Sequence, residues 1–131
     1  MDQGLAGMPG RKGTEPRLTV ASERAEGAVV VAPIGELDQD TADLLRAELD
    51  RALSVEGVRV VVDCGGLLFC DSTGLNVLLS ARLRAEEQGR RVHLAALRPM
   101  VARVMEITGA RAVFVVHDTL AEAVAPDAET G

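Results

Sequence analysis

The fold is decided by residues 58–89, which read VRVVVDCGGLLFCDSTGLNVLLSARLRAEEQG. Residues 58–64 are a short apolar run rich in valine, which predicts a strand buried in a parallel sheet. Residues 72–89 carry leucines at helical spacing and end at a glycine, which predicts a helix. Residues 64–72 are predicted to form the loop between them, so that this stretch begins a parallel crossover. The inward stripe of the helix is predicted to be Leu75, Leu78, Leu79 and Leu83.

The same alternation continues on both sides of this stretch. Apolar runs predict four further strands, at residues 17–23, 28–36, 90–97 and 112–116. Helical spacing predicts three further helices, at residues 38–54, 98–109 and 119–125. The first of them is predicted to bury Ala42, Leu45, Leu49, Ala52 and Leu53. The second is predicted to begin at Pro99, to end before Gly109, and to turn inward Val101, Val104 and Met105.

The order of these elements predicts an α/β fold. The first two strands follow each other without a helix, which indicates an antiparallel edge, whereas the later strands are joined through helices. We therefore predict a single domain with a mixed β-sheet, mostly parallel with an antiparallel edge, packed with about four helices. Residues 1–16, rich in Gly and Pro, are predicted to be a flexible arm; residues 17–125 form the domain and residues 126–131 a flexible tail.

Composition narrows the classes of partner. The formal net charge of −6 disfavours nucleic acid, and two Phe as the only aromatic residues leave no base-stacking platform. The N-terminus has no basic start followed by an apolar stretch, and no apolar run approaches the ~20 residues of a membrane span. We therefore expect a soluble cytoplasmic protein that is a monomer or a weak dimer and has no membrane partner.

The two cysteines predict neither a disulfide framework nor a metal site. Cys64 and Cys70 do not form a C-x-x-C motif, and no histidine lies at zinc-ligand spacing from them. We interpret both as small buried hydrophobic residues, with redox sensing by Cys70 as the alternative. No metal and no cofactor are expected.

Polar residues gather in the loops that follow the predicted buried strands, where sites form in open α/β sheets. The candidates are Asp38, Asp40, Asp71, Ser72 and Thr73. In a parallel sheet the Asp38 loop would lie beside the Ser72 loop, so that an acidic face would surround one serine.

A helix cap is the plainer interpretation of both loops, since one Asp, Ser or Thr at an N-cap stabilises a helix by ~1 kcal/mol. Three consecutive candidates at residues 71–73 exceed that requirement. Gly74, just inside the helix, costs up to ~1 kcal/mol relative to alanine. A glycine there indicates that another backbone comes close or that the neighbouring hydroxyl stays accessible.

Enzyme motifs are absent around Ser72. A nucleophile elbow requires G-x-S-x-G, whereas the chain reads C-D-S-T-G, and the two histidines, His93 and His117, lie in or just after predicted strands. No P-loop occurs. The only lysine, Lys12, lies in the predicted arm, which disfavours an aspartyl-phosphate receiver. Catalysis by this chain is not expected, and Ser72 is better interpreted as a substrate.

Three stretches together resemble the STAS domain of bacterial anti-sigma factor antagonists. The resemblance covers residues 17–125, and its most specific part is D-S-T-G-L preceded by a Val-rich strand and, upstream, by G-E-L-D. The stretches are GELDQDTADLLRAEL at 35–49, VVVDCGGLLFCDSTGLNVLLSARLRAEEQGRRVHLAAL at 60–97 and MEITGARAVFVVHDTLAEAV at 105–124.

The resemblance implies a mixed sheet and a partner-switching function. In the family, the unphosphorylated antagonist binds an anti-sigma factor that is also a serine kinase, and so frees the sigma factor. The kinase phosphorylates the serine that matches Ser72, and a PP2C-type phosphatase reverses the modification. The partner-binding candidates are Asp38, Asp71, Ser72, Thr73, Gly74 and Asn76, with Arg82 and Arg84 for the rest of the contact.

Thr73 replaces a frequent second serine and is an alternative acceptor, and Cys70 replaces a larger apolar residue. A phosphate at a helix N-terminus should be tolerated by the fold but should break docking. Two other functions stay open: a STAS scaffold or sensor subunit of a stressosome-like or lipid-transport assembly, and a small-molecule or nucleotide-binding enzyme.

Overall fold

The computed structural model describes residues 16–126, so the predicted arm (1–16) and tail (126–131) lie outside it except for Pro16 and Pro126. The elements in chain order are β1 (Leu18–Ala25), β2 (Ala28–Leu37), α1 (Ala42–Leu53), β3 (Arg59–Asp63), β4 (Leu67–Cys70), α2 (Ser72–Glu87), β5 (Val92–Ala95), α3 (Pro99–Thr108), a 3-10 helix (Ala110–Val113), β6 (Val115–His117) and α4 (Leu120–Val124).

The long strand β2 organises the sheet. On one side, its residues 28–35 pair antiparallel with the whole of β1. On its other side, the first half of β2 pairs parallel with β3, and its second half pairs parallel with β4. The sheet continues from β3 through β5 to β6, also in parallel. The predicted mixed sheet with an antiparallel edge is confirmed.

Strand β4 was not expected, because residues 64–72 were predicted to be a loop. The chain leaves β3 at Cys64, turns through two glycines and returns to the edge of β2, with the Leu67 N–H donating to the Cys64 carbonyl at 3.0 Å. At Gly66 an added Cβ would lie 2.9 Å from Ile34 Cγ1, so a side chain there would crowd the Ile34 side chain on β2. The turn at Gly65 and Gly66 is tied to β2 by the Gly35 N–H, which donates to the Gly66 carbonyl at 2.9 Å.

The core has two unequal layers. Helices α1, α2 and α3 cover one face of the sheet over a large aliphatic cluster. Among residues 16–126, α4 is the helix that covers the other face, over Ala28, Val30, Val61, Ala95 and its own Ala123. The predicted inward face of α1 is confirmed, since all five of its residues are buried. In α3, Val101 and Met105 are buried as predicted, and Val104 is half-buried against the core.

The predicted stripe of α2 was partly wrong. Leu75 and Leu78 are buried, but Leu79 is half-buried and Leu83 is exposed. The row that meets the core contains Leu78 and three small residues, Gly74, Ala81 and Ala85. Small side chains at this spacing let α2 lie close to the sheet and to α1, and this rotates Leu83 toward solvent.

The last strand begins later than predicted. The chain leaves α3 through Gly109 in the left-handed conformation (φ 77°), as its position suggested, and then forms the 3-10 helix. Strand β6 starts only at Val115, because Phe114 is buried against the core and fixes the end of the 3-10 helix.

The close approach of Arg17 to Gly35 in the β1–β2 hairpin is testable by comparison with Gly57, a glycine with positive φ in the loop between α1 and β3. Gly35 has φ 118°, and an added Cβ would lie 2.1 Å from the Arg17 carbonyl oxygen, whereas Gly57 has φ 77° and open space around it. We expect Gly35→Ala to lower the free energy of unfolding by at least ~3 kcal/mol, because a backbone clash adds to the strain. Gly57→Ala should cost only about 1–2 kcal/mol. Urea unfolding measures both, and equal losses would contradict the clash.

Candidate functional site

The carboxyl ends of β2 and β4 bring the predicted site residues together. Leu37 and Cys70 are the last paired residues of these strands, so Asp38 and Asp71 leave the sheet side by side. The Asp71 N–H donates to the Leu37 carbonyl at 3.1 Å. The expectation that the Asp38 loop lies beside the Ser72 loop is confirmed.

One residue of the polar run caps α2. Asp71 is the N-cap, with extended backbone, and its Oδ1 accepts a hydrogen bond from the Gly74 N–H at 2.9 Å. Ser72 and Thr73 are the first two residues of the helix; Ser72 is exposed and Thr73 is half-buried. Because Asp71 already provides the cap, the Ser72 hydroxyl is not needed for it. Asn76, one turn further on, is exposed.

Gly74 seats the first turn of α2 on the end of β2. An added Cβ would lie 2.5 Å from Leu37 Cγ and 3.1 Å from the Leu37 carbonyl oxygen. No side chain larger than hydrogen fits between the helix and the strand at this point. The expectation that a glycine here permits close approach of another backbone is confirmed.

Asp38 holds the turn that precedes α1. Its Oδ1 accepts from the N–H groups of Asp40, at 2.9 Å, and Thr41, at 3.2 Å. The Thr41 hydroxyl donates to the Glu36 carbonyl at 2.9 Å, which closes the turn on β2. Helix α1 therefore starts at Ala42 rather than at 38, and its N-cap is Thr41, whose side chain makes no capping hydrogen bond. The prediction that Asp38 or Asp40 caps this helix was wrong, because Asp38 binds the N–H groups of the turn before it.

Sequence reasoning missed Arg17, which stands at the centre of this acidic edge. Its guanidinium forms an ion pair with Asp38 and reaches Asp40 at 3.2 Å and Glu36 at 3.4 Å. The hydrogen bond from Arg17 lowers the pKa of Asp38. The edge is therefore acidic but partly neutralised. The hairpin register, with Leu18 opposite Gly35, places Arg17 beside Glu36, and local sequence patterns did not predict that register.

Arg82 and Arg84 are less available than predicted. Both are half-buried, and both are engaged in ion pairs. Arg82 binds Glu86 on the same helix at 2.9 Å, and Arg84 binds Asp50 of α1. Their contacts stabilise the packing of α2, so Asn76 is the one of these three helix candidates that lies on the exposed surface.

The two cysteines are buried free thiols. Burial raises the pKa of Cys64 to about 12 and that of Cys70 to about 11. Both thiols are therefore protonated at neutral pH, and the thiolate needed for redox chemistry is scarce. These values favour the interpretation of Cys70 as a small hydrophobic residue over that of a redox sensor.

The two histidines form a pair on neighbouring strands. His93 on β5 and His117 on β6 face each other, with Nδ1 and Nε2 2.9 Å apart. Within residues 16–126, no group of three His, Cys, Asp or Glu side chains is arranged to hold a metal ion. None of the helices in this range has the length and apolarity needed to cross a membrane.

The Arg17–Asp38 pair predicts a pH-dependent stability. A carboxylate whose folded pKa is lowered stabilises the fold above its unfolded pKa, about 3.9, and loses that contribution as pH falls through the folded value. We therefore expect Arg17→Ala to be less stable than wild type at pH 6, with the difference shrinking below pH ~4. Urea midpoints across pH measure it. Arg46→Ala, which removes an exposed ion pair with Asp43, is the control. A stability difference between wild type and Arg17→Ala that stays constant from pH 6 to pH ~2.5 would contradict the role assigned to the Arg17–Asp38 pair.

Comparison with protein families and known proteins gives matches that include the Asp38 and Ser72 loops. The STAS domain model matches residues 19–123. The chain is 28% identical over 102 residues to the anti-sigma F factor antagonist of Paenibacillus polymyxa, covering 77% of this chain and 87% of that protein. It is 32% identical over 103 residues to a protein of Bordetella bronchiseptica named "Putative anti-sigma factor antagonist BtrV", covering 78% of this chain and 88% of that protein.

A solved structure supports the match. The anti-sigma factor antagonist SpoIIAA in its unphosphorylated form superposes with a TM-score of 0.69 at 25% identity, over 81% of this chain and 90% of that one. The family model spans both the G-E-L-D turn and the Ser72 helix. The sequence motifs, the fold and these matches agree, and the chain belongs to the STAS domain family.

Proposed function

We propose that this protein is an anti-sigma factor antagonist controlled by phosphorylation of Ser72. In its unphosphorylated form it binds an anti-sigma factor that is also a serine kinase, and the sigma factor is released. The kinase phosphorylates Ser72 and thereby ends the interaction, and a PP2C-type phosphatase restores the binding form. This cycle would take place in the cytoplasm. The observation that carries the proposal is the exposed Ser72 at the first position of α2, where Asp71 already provides the helix cap.

The position of Ser72 explains how a modification could change binding and leave the fold intact. Phosphorylation adds about −1.5 to −2 charges. At a helix N-terminus the backbone N–H groups and the helix dipole favour such a charge by about 0.3–1 kcal/mol. The Asp71 carboxylate beside it opposes that gain. The fold therefore changes little in stability, while the surface gains a charge that the partner meets directly.

The same charge should be costly at an interface. A docked partner would remove water from Ser72, and a desolvated charge without a matched counter-charge can cost several kcal/mol. Asp38 and Asp71 lie on this edge, and Arg17 is bound to Asp38. The phosphate would therefore add its charge to a surface that is already acidic. To stay bound, the kinase would have to accommodate the phosphate as well as the carboxylates of this edge.

The phosphorylation site is tested by labelling with the purified kinase and radioactive ATP. We expect wild type and Thr73→Ala to be labelled at similar rates, because Thr73 is half-buried, and Ser72→Ala to lose labelling by at least ~100-fold. Equal labelling of Ser72→Ala and wild type would show that another residue is the acceptor. Loss of labelling in Thr73→Ala alone would move the site to Thr73.

The effect of the charge is tested with Ser72→Asp. We expect it to weaken binding to the kinase by at least ~10-fold, measured by calorimetry without ATP, while its far-UV circular dichroism and urea midpoint stay close to those of wild type. Ser72→Asn is the matched control, because it has nearly the same size without the charge, and it should bind close to wild type. An unfolded Ser72→Asp, or one that binds as tightly as Ser72→Asn, would contradict the mechanism.

A further inference from the structure

Several large apolar side chains are exposed next to the Ser72 edge. Ile34 on β2 is 54% exposed, Leu68 and Phe69 on β4 are 53% and 36% exposed, and Met100 in the first turn of α3 is 49% exposed. Strand β4 pairs with β2, and α3 packs against β4, so these elements are neighbours. We call Ile34, Leu68, Phe69 and Met100 the apolar strip.

The strip follows from the irregular pairing of β4. A regular strand would turn alternate residues inward, but Leu67 and Cys70 are both buried in β4, and the two residues between them are both exposed. The pairing of β2 with β4 shifts register between Gly35 and Glu36, so that Glu36 lies opposite Phe69. The shift brings two consecutive apolar side chains to the surface, whereas single exposed residues are ordinary on a protein surface.

The use of phenylalanine sets the strip apart from the rest of the surface. The chain has only two aromatic residues, both Phe. Phe114 is buried in the core, and Phe69 lies in the strip. Aromatic side chains are enriched among the residues that dominate binding energy at interfaces. One of the two aromatic residues of this chain is therefore placed where a partner can reach it.

The strip is continuous with the site of the proposed modification. Phe69 precedes Ser72 by three residues, so their Cα atoms are at most about 11 Å apart. A typical specific interface buries about 800 Å² per partner, which corresponds to a disc of roughly 16 Å radius. A protein that docks over Ser72 on the side of β4 therefore has Phe69 within the area that such an interface covers.

The charges around the strip indicate the complementary surface. Its border toward Ser72 carries Glu36, Asp38, Asp40 and Asp71, of which the first three share a single arginine, Arg17. On the far border, Arg98 donates to the Gly65 carbonyl at 2.9 Å. The arrangement fits a partner that has an apolar patch with basic residues on the side that meets the Ser72 edge.

We propose that the apolar strip is the part of the docking surface that holds the anti-sigma factor kinase, an inference that rests on the proposed function. Phe69 and Leu68 supply the affinity, and Ser72 lies at the margin where its modification adds a charge. Binding and switching are thereby assigned to adjacent but different side chains.

The test compares Leu68→Ser and Phe69→Ser with Ile107→Ser. Ile107 is 74% exposed near the C-terminal end of α3, at the opposite end of that helix from Met100, and is the matched control. The binding partner in this test is the serine kinase that the wild-type protein binds. It is purified and titrated with each variant in the absence of ATP. We expect each strip variant to weaken binding by at least ~10-fold and Ile107→Ser by less than about twofold. Far-UV circular dichroism and urea midpoints should match wild type in all three.

Labelling of Ser72 gives a second readout. The strip variants should require more antagonist for half-maximal labelling, with a nearly unchanged rate at saturation, because they affect docking and not phosphoryl transfer. Strip variants that bind like wild type, or an equal loss in Ile107→Ser, would overturn the strip proposal and leave the proposed function standing. A wild-type protein that retains no serine kinase would overturn both. Loss of self-association without loss of kinase binding would assign the strip to a second copy of the chain and would also overturn the proposal.

Discussion

The contact between the first turn of α2 and the end of β2 is the constraint on which the site depends. Gly74 leaves no space for a Cβ against Leu37, and the Leu37 carbonyl accepts from the N–H of Asp71. The helix N-terminus is thereby fixed to the sheet by backbone atoms. Asp38 follows Leu37 in the chain, and Ser72 follows Asp71. Because Leu37 and Asp71 are held together, Asp38 and Ser72 lie at the same edge of the sheet.

The chemistry at this edge divides among residues that look interchangeable in the sequence. Asp71 caps α2, Asp38 holds the turn before α1 and binds Arg17, and Asp40 reaches the same arginine. Ser72 is the residue of this group whose exposed side chain takes part neither in the cap nor in the ion pairs with Arg17. The carboxylates shape the edge, and the hydroxyl is available for modification.

Much of the fold could be predicted because valine-rich strands and leucine-rich helices differ in period. The inward face of α1 depends on residues close in sequence, so local patterns were sufficient there. At the start of α2 the sequence left Asp71, Ser72 and Thr73 as equal candidates for the cap, and the structure selects Asp71. Strand β4 could not be predicted, since its four residues pair only because two glycines let the chain return to β2. Arg17 was missed for a similar reason: its contacts with the acidic turn depend on hairpin register. In α2, Ala81 and Ala85 are buried and Leu83 is exposed. Hydrophobicity alone does not predict this, because leucine is the more hydrophobic residue.

The position of Phe69 has a consequence for observing this protein. The chain contains no tryptophan and no tyrosine, so it has almost no intrinsic near-ultraviolet emission. Phe69 is an aromatic side chain at the surface, in contact with solvent and close to the serine. A tryptophan introduced there would be the only indole in the molecule. Its emission would shift as water leaves the β4 surface, so that partner exchange could be followed optically without a covalent dye.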